Sequence, residues 1–149
     1  MSILSWGKCL IEHTTSTDGA PGTTWTALDT PKQDTTKLTP TAGTETNANE
    51  EGGDIVDSRT SKNTYLFEFT LFVKKGKERP FEDEDGIIAG EHAFRVTPED
   101  AECEGIQIDR STVRVEESYS TADGILLRYV VRCLKPKTGK TVKFATKTA

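Results

Sequence analysis

The chain has 149 residues, of which 34% are hydrophobic and 29% charged, and carries a formal net charge of −5. That length suits one domain burying roughly 70% of its unfolded surface, and the low apolar share argues against a helical bundle and for strands that expose alternate side chains. The net negative charge speaks against nonspecific binding to a polyanion, and no stretch approaches membrane-spanning length.

Residues 6–13, WGKCLIEH, read as the first strand, with Cys9 and Ile11 on one face and Trp6, Lys8, Leu10 and Glu12 on the other. Residues 14–23 are polar and contain Asp18-Gly19 and Pro21-Gly22, the marks of a turn or loop. Residues 24–29, TWTALD, form a short strand stopped by Pro31, and residues 34–38 are a further candidate. Residues 39–62 are the least core-like part, with Ile55 and Val56 as their only large apolar side chains. They read as a hairpin arm, a mobile loop, or both in turn, and suit a segment that orders only against a neighbour.

The chain is organised around residues 63–75, NTYLFEFTLFVKK. Tyr65, Phe67, Phe69, Leu71 and Val73 alternate, so one face of a long strand is an unbroken apolar row. The other face is mixed and leaves Leu66 and Phe72 to be covered by something else. Residues 125–134 mirror it with Ile125, Leu127, Tyr129, Val131 and Cys133. Phe67, Phe69, Leu71, Leu127, Tyr129 and Val131 are therefore expected to be buried together on facing or adjacent strands.

Between these two strands, residues 81–89 are expected to form one short helix, with acids at its N-terminal end where the dipole favours them. A strand at 91–97, short strands at 105–109 and 112–118, a hairpin turn at Asp123-Gly124 and a closing strand at 141–145 complete the order. The fold class that follows is mainly β, an antiparallel sandwich or barrel with one short helix, in a single domain over residues 1–149.

No catalytic or cofactor motif stands out. Gly139-Lys140-Thr141 lacks the upstream glycine of a phosphate-binding loop, because position 134 is Leu134. The acids Glu82 to Asp85 miss the ligand spacing of a calcium-binding loop. His13 and His92 are the only histidines, and no nucleophile elbow accompanies them. Cys9, Cys103 and Cys133 lack zinc-site spacing, and no disulfide among them is expected. Residues 1–10 lack the basic start and apolar run of a secretory signal. The expectation is a non-enzyme without cofactor or metal.

Charge is unevenly placed. Residues 76–104 hold ten acids against three bases, a net −7, whereas residues 132–149 hold six bases and no acid. An acidic end and a basic end could meet between copies, with Lys135, Lys137 and Lys140 on the basic side.

The order of features resembles the tail-tube family of long-tailed bacteriophages and the related tube proteins of injection systems. The parts that carry the resemblance are WGKCLIEH, GTTWTAL, the loop Glu50-Glu51-Gly52-Gly53-Asp54, the NTYLFEFTLFV strand, the helix candidate and DGILLRYVVRCLKP. Such proteins are β-sandwiches or barrels with a helix at one side, joined into hexameric rings that stack as a tube and use a long loop to hold neighbours. The resemblance implies a virion structural protein of a phage or prophage, synthesised in the bacterial cytoplasm. Its implied partners are itself and other tail proteins, with no membrane and with DNA only as passing cargo in the lumen. The oligomer interface would then comprise Leu66 and Phe72, the loop residues Glu50, Glu51 and Asp54, and Lys135, Lys137 and Lys140. The competing reading is a monomeric immunoglobulin-like binding module on a virion or cell surface.

Overall fold

The computed structural model describes residues 3–146. Its strands are β1 (Leu10–Thr17), β2 (Ala20–Pro21), β3 (Thr26–Ala27), β4 (Lys37–Thr41), β5 (Glu45–Asn49), β6 (Ile55–Thr60), β7 (Thr64–Phe72), β8 (His92–Thr97), β9 (Gly105–Ser120), β10 (Gly124–Cys133) and β11 (Lys143–Ala145). Nine of them form one antiparallel sheet in the order β2-β1-β8-β9-β10-β7-β4, with β11 beside β9 and β3 beside β1. The sheet curls into a half-barrel. The mainly β, antiparallel expectation is borne out on its barrel-like side.

The concave face holds the core. β10 and β7 pair so that Leu127 faces Leu71, Tyr129 faces Phe69 and Val131 faces Phe67, and all six are buried. The expected core list therefore stands, on adjacent strands. Phe69 is the hub: its ring stacks on Tyr129 at 5.3 Å and meets Phe67 and Phe94 at 5.4 and 6.0 Å. The segment after β3 ties the two edges of the curled sheet together. Leu28 donates its N–H to the Ile11 carbonyl on β1, and Lys32 donates its N–H to the Thr70 carbonyl on β7, each at 2.8 Å.

The expected helix at residues 81–89 is absent; among the described residues there is none. The segment is a tight turn instead. Glu84 and Ile87 exchange N–H···O bonds of 3.0 and 3.1 Å, and between them Asp85 and Gly86 both sit at positive φ, 50° and 92°. That is the backbone of a two-residue hairpin turn, which Asp-Gly favours. Asp83 Oδ2 accepts a bond from the Gly86 N–H at 3.0 Å, giving the backbone an alternative to helical bonding. Phe81 and Ile88 anchor the segment in the core, and Val115 of β9 donates its N–H to the Gly86 carbonyl.

Two strand boundaries also differ from expectation. The first strand starts at Leu10, not Trp6, and runs through Thr17 into a turn at Asp18-Gly19. The threonines read as loop are strand residues: Thr14 is buried, and so is Ser16, whose hydroxyl donates to the Asp109 carbonyl at 2.9 Å. The two short strands expected at 105–109 and 112–118 are one sixteen-residue strand, β9. His92 pairs with Ser111 but Phe94 with Ile108, so β9 carries one extra residue there, a β-bulge. The bulge shifts the inward face from the even positions Ile106 and Ile108 to the odd positions Ser111, Val113 and Val115.

Candidate assembly surfaces

The least core-like stretch forms a two-stranded arm. β5 and β6 pair only with each other, with Glu45 opposite Thr60 and Asn49 opposite Ile55. All five residues of β5 and all six of β6 are exposed, and neither strand contacts another strand among the described residues. At its base Gly43 presses against the opposite backbone so closely that a Cβ there would lie 1.9 Å from the Ser61 carbonyl oxygen. At its tip Gly52 and Gly53 take φ of 97° and 99°, and Glu50, Glu51 and Asp54 of that turn are exposed. Ile55 and Val56 follow them, 61% and 57% exposed.

Leu66 and Phe72 lie on the convex face, as the alternation requires, and each is half-buried. They are not one patch: Glu68 and Thr70 separate them along β7. Phe72 sits opposite Leu126, and Leu66 opposite Arg132. Between the two, Arg128 donates to Glu68 at 2.9 Å and to Glu116 on the other flank. These two carboxylates hold the Arg128 guanidinium above its ordinary range. On the far side of the sheet the same face is already covered. There Arg95 makes bonds of 3.2 and 3.1 Å to Glu12 and lies 4.5 Å from the Trp25 ring centre.

Lys135, Lys137 and Lys140 share the exposed loop between β10 and β11. Lys135 Nζ donates to the Gly139 carbonyl at 2.8 Å, and the Lys137 N–H donates to the Gly19 carbonyl at 2.9 Å. Lys143 is withdrawn from any basic surface, because its ammonium pairs with the buried carboxylate of Asp109. Lys147 lies outside the described residues. The acidic stretch is divided rather than polar: Glu82 to Asp85 precede β8 and Glu99 to Glu104 follow it, so carboxylates flank both ends of that strand. The expectation of one acidic end does not survive this division.

Residues that the sequence did not single out complete the outer face. Arg114, Arg132, Val130 and Thr112 join Leu66 in lining a shallow groove of about 360 Å³ across β9, β10 and β7. A second, more apolar cleft of about 520 Å³ opens at the end of the half-barrel, lined by Trp6, Leu38, Pro40, Tyr65, Ile106 and Phe144 among others.

Inside the barrel, His13 Nε2 lies 2.9 Å from His92 Nδ1, and His92 Nε2 lies 2.9 Å from the Ala89 carbonyl. The carbonyl can only accept, so His92 carries its proton on Nε2 and receives one from His13. Burial, then the neighbouring His92, pushes the His13 pKa down to about 4. Burial pushes Tyr129 and the Cys133 thiol up to about 12 and raises Cys9. Among the described residues no group of three or more His, Cys, Asp or Glu is placed to hold a metal ion, and no helix is long and apolar enough to cross a membrane.

Neither a model of a known protein family nor a curated protein matches this sequence.

Proposed function

We propose that the protein is a self-assembling structural subunit, of the tail-tube kind that its sequence resembles, forming stacked rings in a phage or prophage virion. The observation that carries this reading is the arm. A lone two-stranded hairpin is marginal in water, and this one buries no residue of its own chain. Residues 44–52 alone span about 30 Å at ~3.3 Å per residue, enough to reach across a neighbouring subunit. Half-buried Leu66 and Phe72 on the open convex face would be covered in the same assembly. In this reading the partners are further copies and other tail proteins, DNA is only passing cargo, and the protein carries out no catalysis.

Electron microscopy of the concentrated full chain, beside a variant with residues 44–60 replaced by Asn-Gly, tests the proposal. Rings or tubes from the intact chain and single particles from the shortened one are expected. Single particles from both would reject assembly and favour the monomeric binding module.

A further inference from the structure

We infer that the acidic tip of the arm docks, in a second copy of the chain, into the convex-face groove between Arg114 and Arg132. The inference rests on the self-assembly reading and names the surface that receives the arm.

The groove has an aliphatic floor and cationic walls. On the paired strands Val130 stands opposite Arg114, and Arg132 opposite both Thr112 and Leu66. Leu66 and Val130 therefore alternate with the two arginines across the sheet. Neither arginine is held by a close ion pair among the described residues. Arg132 makes no ion pair among the described residues, and Arg114 has only Glu116 at 4.0 Å, with its own side chain 67% exposed. The carboxylate nearest the floor, Glu68 opposite Val130, is taken up by Arg128 at 2.9 Å and Lys37 at 3.9 Å. Two guanidiniums, Arg132 without an ion pair among the described residues and Arg114 with only a distant one, stand beside apolar surface on a molecule of net charge −5, and suit a ligand that brings carboxylates and an aliphatic group together. A guanidinium's planar fork matches carboxylate geometry.

The arm tip presents that combination. Glu50, Glu51 and Asp54 make no ion pair among the described residues, and no basic residue lies between 50 and 56. Ile55 follows at once and is 61% exposed. The match is made between copies, since among the described residues the arm touches no other strand of its own chain. Tip and groove are different surfaces, so the contact closes reciprocally in a two-fold dimer or, in the ring of the proposed function, repeats from copy to copy until the ring closes.

Light scattering of the full chain against concentration at low salt, with a charge swap, tests the inference. Arg114→Glu with Arg132→Glu should raise the association midpoint about tenfold or more, and so should Glu50→Lys with Glu51→Lys. All four side chains are exposed, so folding, followed by circular dichroism, should be unchanged. A chain carrying all four substitutions should regain association to within a few-fold of the original. An original chain that associates while the arginine variant associates equally well, or a four-fold variant that fails to recover, overturns the docking but leaves self-assembly standing. An original chain that is monomeric at every concentration overturns both.

Discussion

His13 and His92 share one proton-bearing contact, Nε2 to Nδ1 at 2.9 Å, walled by Phe81 4.5 Å from the His13 ring and Phe94 5.5 Å from it. The pair ties β1 to β8, and through the Ala89 carbonyl it holds the acidic turn against the barrel. Folding depresses the His13 pKa from 6.5 to about 4. Between those values the unfolded chain binds more protons than the folded one. The stability this neutral ring contributes is therefore complete above pH 6.5 and is lost as pH falls toward 4. Urea midpoints at pH 7 and pH 4.5 should differ more for the original chain than for His13→Gln. Equal differences would show that His13 titrates normally.

Phe69 is fully buried and touches three other aromatic rings. Phe69→Ala leaves a cavity at the centre of the half-barrel and should cost roughly 3–5 kcal/mol. Urea unfolding monitored by tryptophan fluorescence gives the value. A loss below about 1 kcal/mol would mean that the concave face collapses around the gap.

Asp109 sits at the bulge of β9 with its side chain 4% exposed, held by Lys143 and by Gln107 Nε2 at 2.7 Å. Removing only the cation, in Lys143→Met, leaves a buried carboxylate without its counter-charge and should cost ~3 kcal/mol, the low end for such pairs because Lys143 is partly exposed. Asp109→Asn in the same chain should recover part of the loss. Thermal unfolding of the original chain and the two variants measures it, and full stability in Lys143→Met would place the pair's contribution near zero.

Amides of the arm have ladder partners only in each other. In dilute protein they should exchange within seconds, while those of β7 and β10 stay protected. In assembled protein, arm exchange should slow by at least an order of magnitude. Unchanged exchange on assembly would show that the arm lies outside the contact.

Where one local pattern met one structural demand, the sequence could be read directly. The alternation from Tyr65 to Val73 and its echo from Ile125 to Cys133 give the register of β7 on β10, because a slip by one residue would turn every aromatic ring outward. The arm was legible as a segment too poor in apolar residues to join the core. The turn at Asp85-Gly86 carries the same signal that marked Asp123-Gly124, but four neighbouring acids suggested a helix start, and the local hairpin bonding won. The bulge in β9 left no mark beyond a break in alternation between Ile108 and Val113, which in sequence looks like a loop. The arginine groove was illegible for another reason: Arg114 and Arg132 are eighteen positions apart and become neighbours only through strand pairing.

The order of strands in the sheet imposes an order in time. β1 pairs along its length with β8, and Leu10 faces Thr97, 87 positions later. At roughly 5–20 residues per second of synthesis, β1 leaves the ribosome about 4–17 s before its partner exists. During that interval β2 and β3 can pair with one of its edges, while the edge that β8 will take stays open. The β1 run of Thr14 to Thr17 then serves a second purpose, since a polar strand offers a poor template for wrong pairing. The half-barrel is complete only when β8, β9 and β10 have all followed, so the N-terminal quarter of the chain waits for the C-terminal half.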